Sequence, residues 1–118
     1  MNYTNIACES HSEWKSIMEE KLKSATHFEI HCWEDEEQWY LLALNYGTEK
    51  ETTWKGKIVI GSVTPPFCDM LLGLEEPTDK EIENKLTPFF SVFLDNGFSS
   101  EHYGTELNDG YEWTSENP

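Results

Sequence analysis

The sequence predicts an α+β fold, with a small antiparallel sheet of three to four strands and two to three helices packed on it. Two patterns carry this reading. A capping box followed by an apolar stripe at helical spacing occupies residues 10–25. Alternating or apolar segments joined by short turns then fill residues 27–63, the signature of an antiparallel meander. The chain of 118 residues is sized for a single domain, 1–118, with 1–9 and 114–118 as loose ends.

The first helix is predicted over 11–25. Ser10 can accept from the N3 amide while Glu13 reaches back, and Trp14, Ile17, Met18, Leu22 and Ala25 recur on one face. Lys15, Glu19 and Lys23 make two i,i+4 opposite-charge neighbours on the other face. From His27 to Trp33 the pattern switches to period two. Phe28, Ile30 and Cys32 share one face; His27, Glu29, His31 and Trp33 share the other, as in a half-buried strand. The acidic run 34–37 is a connection. Residues 38–46 are apolar on both parities, which predicts a central strand buried on both faces. Gly47 to Glu51 reads as a turn. Thr53 to Val63 reads as a third strand, with Ile58 and Ile60 inward and Lys55 and Lys57 outward.

Pro65 and Pro66 cannot donate to a ladder and end the sheet segment. Phe67 to Leu72 fits one short helix stopped by Gly73. Thr78 to Glu81 is a second capping box. Behind it, Ile82, Leu86, Phe89, Phe90, Phe93 and Leu94 form a helical stripe that Pro88 breaks or kinks, with Asn96 and Gly97 as its C-terminal cap. Residues 98–118 lack periodicity; Asn108, Asp109 and Gly110 form a turn before a last short strand at 111–114.

Charge narrows the function classes. Asp and Glu number 23 against 8 basic residues, all of them Lys, for a formal −15. Such a chain cannot neutralise a run of phosphates, which excludes nucleic acid as a partner, and it is repelled by anionic lipid. Five Trp, five Tyr and six Phe are too many for a chain that stays solvated. Apolar runs such as 41–44 fall far short of the ~20 residues that span a bilayer. The opening residues have neither the basic nor the apolar region of a secretory signal. Three widely spaced cysteines, Cys8, Cys32 and Cys68, read as free thiols in a reducing cytoplasm.

No Walker loop, GxGxxG, GxSxG, HExxH or EF-hand pattern occurs, and the expectation is a protein that is not an enzyme and carries no cofactor. His27 and His31 would share a strand face but sit about 13 Å apart at ~3.3 Å per residue, too far to share one zinc. Cys68 would fall in the first turn of a helix, where the dipole lowers a thiol's pKa, yet no His is near it in sequence; a buried core cysteine is the plainer reading. Paired carboxylates are worthless as a signal in a chain this acidic.

Two acidic-aromatic segments remain as candidate partner-binding sites. Glu34, Asp35, Glu36 and Glu37 lie between Trp33 and Trp39, with a solvated hairpin whose two Trp pack across strands as the plain alternative. Glu101, Glu106, Asp109 and Glu112 are interspersed with Tyr103, Tyr111 and Trp113 in a tail without cations, where the plain alternative is a frayed end. Both segments suit a basic protein surface, which long-range steering would help them find.

In size, charge, aromatic content and α+β pattern, with the acidic hairpin Trp33–Trp39 and the run Tyr111, Glu112, Trp113, the chain resembles bacterial immunity proteins. These are small acidic cytoplasmic proteins that neutralise toxins, many of them nucleases, in contact-dependent growth inhibition and related toxin systems. The resemblance implies a basic toxin domain as partner. A phage-type mimic of nucleic acid (an anti-restriction or anti-CRISPR inhibitor) ranks below it, because the acids are spread rather than aligned in one phosphate-like stripe. A non-catalytic adaptor or oligomer subunit is the third reading.

Overall fold

The structure is a computed structural model and describes residues 4–6, 8–77 and 85–110. It is α+β, but the sheet is larger than the sequence predicts: the described residues form seven antiparallel strands, against the three to four expected. The elements in chain order are β1 (Thr4–Ile6), α1 (His11–Leu22), β2 (His27–Cys32), α2 (Glu37–Leu44), β3 (Thr48–Lys50), β4 (Lys57–Ser62), α3 (Pro65–Leu72), β5 (Ser91–Leu94), β6 (Ser99–Glu101) and β7 (Glu106–Asp109). Strand order is β1-β7-β6-β5-β2-β4-β3.

The capping box at α1 forms as its chemistry requires. The Glu13 amide donates to Ser10 Oγ at 3.1 Å, and Glu13 Oε1 accepts from Ser10 Oγ and from the Glu9 amide, each at 3.3 Å. The helix stops at Leu22, three residues before the expected end. Its last turn is closed from across the molecule, where Asn96 Nδ2 donates to the Lys21 carbonyl at 2.8 Å. Lys23 pairs with Glu20, one turn back at i,i+3, at 3.2 Å. α3 also follows its signals. Thr64 accepts from the Phe67 amide at 3.3 Å, proline opens the helix, and Gly73 closes it.

β2 is the central strand, paired with β4 on one side and β5 on the other. Its alternation is as predicted, with Phe28, Ile30 and Cys32 buried. Register places Val59 and Gly61 of β4 and Val92 and Leu94 of β5 opposite these residues, on the same face. All three described helices contribute to this face. Trp14 of α1 donates to Ser100 Oγ at 2.9 Å, Phe67 of α3 stacks on Phe28 at 4.0 Å, and Ala43 of α2 joins the same core. Gly61 makes room for Phe28, since a Cβ there would sit 2.8 Å from its ring. Each large apolar side chain buried in this way stabilises by about 1.5–3 kcal/mol.

Between residues 38 and 94, four expectations are corrected. Residues 38–46 do not form a strand; the segment is helix α2 and the turn after it, because apolar residues on both parities also suit a helix and Leu and Ala favour one. The expected turn at 47–51 is instead edge strand β3. β4 begins at Lys57 and points Val59 into the core; Ile58 and Ile60 share the opposite face with Glu29 and His31, and Lys57 stands opposite Cys32 and reaches over Tyr40. The stripe from 82 to 94 is no helix where it is described. Residues 86–90 run as bends around Pro88, and 91–94 form β5.

The unperiodic C-terminal region holds β6 and β7, strands too short to show alternation. Asn108 and Asp109 lie in β7 rather than in a turn, and the residues expected as a loose lead-in include β1, paired with β7. The second capping box at 78–81 and the strand expected at 111–114 lie outside the described residues.

Candidate functional site: an acidic, aromatic groove

The chain leaves the sheet at Trp33 and turns directly into α2, so the acidic run is a strand-to-helix turn and not a hairpin. Glu36 braces this turn from both sides. Its amide donates to the Trp33 carbonyl at 2.9 Å, and its Oε1 accepts from the Trp33 amide at 3.1 Å. Glu37 opens α2, where acid suits the helix dipole. Glu34, Asp35 and Glu37 stay exposed. The two Trp do not pack across strands: Trp39 sits in α2, edge-on to Phe89 at 6.3 Å, and Trp33 meets Trp54 at 4.7 Å and Phe90 at 4.9 Å.

Phe90 leads to the opposite wall. Its ring lies 5.2 Å from Tyr103 and 5.8 Å from His102, in the β6–β7 turn. His102 and Tyr103 both adopt left-handed backbone, with φ of 52° and 60°. Side chains rarely accept that conformation, and it costs of order 1–3 kcal/mol per residue. Compensation comes from the chain around them. The Tyr103 carbonyl accepts from the amides of Leu86 and Thr87, its own amide donates to the Phe90 carbonyl, and its hydroxyl donates to Glu36 Oε2 at 2.8 Å. The turn therefore points Tyr103 at the acidic run.

Between these walls runs a groove of about 1660 Å³. Trp33, Trp39, Pro77, Pro88, Phe90 and Tyr103 supply its apolar lining. Glu34, Asp35, Glu36, Glu37, Glu75 and Glu76 supply its charge, against Lys55 and Lys85, and His102 adds a ring at the far wall. Lys85 lies across the centre, its Nζ 4.4 Å from the Tyr103 ring and 3.9 Å from Glu36 Oε2. The aromatic band continues past the groove, because Trp54 also meets His31 at 5.5 Å and His31 meets Phe93 at 4.9 Å.

The second predicted site is divided. Among its described residues, only Tyr103 joins the groove. Glu101 and Glu106 are cross-strand partners on the sheet face away from the helices. Glu101 accepts from Ser99 Oγ at 2.9 Å and Asn108 Nδ2 at 3.1 Å, and Glu106 pairs with His102 at 3.1 Å. Asp109 turns the other way and pairs with Lys21 of α1 at 2.7 Å. Tyr111, Glu112 and Trp113 lie outside the described residues.

Other titratable groups serve the fold. Burial pushes the Glu29 carboxyl up, but His31 at 2.6 Å and Lys50 at 3.4 Å prevail and hold it below the ordinary glutamate range. Asp95 is likewise held low: burial opposes ionisation, but the hydroxyl and amide of Thr26 and contacts from His27 outweigh it. Burial pushes the Cys32 thiol up to about 12. Cys68 lies in α3, and its thiol is raised by burial and by Asp69, not lowered by the dipole. Among the described residues, no group of three His, Cys, Asp or Glu side chains could hold a metal ion, and no helix is long and apolar enough to cross a membrane.

Sequence reasoning found one lip of the groove and one residue of its far wall. It missed Lys55, Glu75, Glu76, Lys85, Phe90 and His102 as lining residues. Glu75 and Glu76 had a local signal, an acidic pair before Pro77 and just after the glycine that stops α3. Compared with family models, with curated proteins and with solved structures, the chain matches none.

Proposed function

We propose that this protein is a non-catalytic, acidic binding protein that occupies the basic surface of a protein partner through the groove between Trp33–Trp39 and Phe90–Tyr103. The partner class we infer is a bacterial nuclease-type toxin, which makes the chain its cytoplasmic immunity protein. One observation carries the binding reading. Among the described residues, six carboxylates, five of them exposed, surround an aromatic lining that only Lys55 and Lys85 offset. Aromatic anchors in a partly desolvated groove supply contact area, and exposed rim acids steer a cationic partner into place. Nucleases are cationic where they hold phosphate, so an acidic groove complements them. The toxin assignment rests on the resemblance in size, charge and aromatic content.

The test is capture at low salt by the tagged protein from lysate of its source organism. The expected result is one basic partner at equal stoichiometry, released by high salt, that degrades nucleic acid alone and stops when the protein is returned. A variant carrying Trp33→Ala, Glu34→Gln, Asp35→Asn and Glu37→Gln should retain none of it. A partner held equally by that variant, or self-association alone, overturns the proposal.

A further inference from the structure

The centre of the groove already holds a cation, and that cation belongs to the chain itself. Glu36 and Lys85 are both mostly buried, with side-chain exposures of 14% and 18%. A carboxylate has about four acceptor positions. The Trp33 amide takes one on Oε1 and the Tyr103 hydroxyl one on Oε2. One position on each oxygen remains, and the Lys85 Nζ that approaches Oε2 also stands 4.4 Å from the centre of the Tyr103 ring, so a cation there meets carboxylate and ring together. This is the geometry that a guanidinium fills best, with two parallel N–H donors to the carboxylate and its plane on the ring. Lys85 fills it poorly. Its ammonium stands 3.9 Å from Oε2, beyond hydrogen-bond length, and a point charge cannot serve both oxygens. The chain contains no Arg, so it has no better occupant of its own.

We propose that Glu36 and the Tyr103 ring form a seat for one arginine of the basic partner, and that Lys85 is a placeholder which that arginine displaces. The proposal rests on the groove being the docking site. The placeholder keeps a buried carboxylate compensated while the partner is absent, since an uncompensated one would destabilise the groove. It also discriminates between ligands. A lysine offers the seat no more than Lys85 already does, whereas an arginine adds a second hydrogen bond and ring stacking.

Hexa-arginine and hexa-lysine peptides, titrated by calorimetry at low salt, test this on the whole protein. Wild type should bind hexa-arginine about tenfold more tightly than hexa-lysine, the size of one added charge-assisted hydrogen bond. Lys85→Arg keeps the net charge and fills the seat from within, so hexa-arginine binding should weaken several-fold. Lys85→Met and Lys55→Met change the charge equally; only Lys85→Met should tighten hexa-arginine binding beyond the shared charge effect. Glu36→Gln should erase the preference for arginine. Circular dichroism confirms that each variant is folded, and Lys85→Arg alone decides the matter if Lys85→Met does not fold. Affinities ordered by net charge alone, with Lys85→Arg equal to wild type, overturn the seat and leave the docking reading standing. No salt-sensitive binding of either peptide to wild type overturns both.

Discussion

The two acidic-aromatic segments, 33–39 and 101–109, look alike in composition and behave differently in the fold. In the first, a tight turn keeps Glu34, Asp35 and Glu37 exposed on one side of a groove, and only Glu36 is tied down. In the second, alternation along two short strands sends neighbours to opposite faces. Glu101 and Glu106 go to one side of the sheet with Ser99, Asn108 and His102, while Asp109 goes to the other with Lys21. A carboxylate that already has donors contributes stability and little field. One without them contributes field and little stability. Backbone periodicity, more than composition, decides which acids can act together.

The largest effect should separate the segments by affinity. Replacing Glu34, Asp35 and Glu37 by their amides should weaken binding of a basic peptide at low salt by an order of magnitude or more, mostly through the association rate. The same change at Glu101, Glu106 and Asp109 removes equal charge and should cost no more than about threefold. Equal losses would mean that net charge, and not the groove, does the binding.

Tyr103→Phe comes next. It keeps the ring and removes the hydroxyl from Glu36, so urea denaturation should show a loss of about 1–2 kcal/mol. Acid comes third. Glu29 and Asp95 have folded pKa values below their unfolded ones, so their stabilisation is fully present above about pH 5 and is lost as pH falls through the lowered values. The urea midpoint should fall between pH 5 and pH 3, and less so in Glu29→Gln; a midpoint flat with pH would refute the role of these contacts. The smallest effect is expected at Lys21→Ala. That pair is about a third exposed, so unfolding should be easier by under ~1 kcal/mol and peptide binding should not change.

Local signals in the sequence were reliable where they are self-contained. The capping box at Ser10, the proline and glycine that bracket α3 and the alternation of β2 all rest on neighbours in sequence. What failed was choice between equals. Residues 38–46 suit a buried strand or a helix, and the places beside β2 go to β4 and β5, which are distant in sequence. Asn96 illustrates the same limit. It caps a helix C-terminus, as an Asn-Gly pair near the end of a stripe implies, but the helix is α1, 75 residues away. The groove was half legible for this reason. Its acidic lip is contiguous, and its far wall is assembled from residues 85–90 and 102–103 by strand pairing that no local pattern reveals.

The left-handed turn at His102 and Tyr103 has a consequence for motion. The amides of Leu86 and Thr87 both end on the Tyr103 carbonyl, and the Tyr103 amide ends on Phe90. None of these bonds can be released singly while the residue keeps its unfavourable φ, because each helps to hold it there. In hydrogen exchange, the amides of 86, 87 and 103 should therefore open as one unit with a common opening free energy. An occupant of the groove that braces Tyr103 should slow all three together.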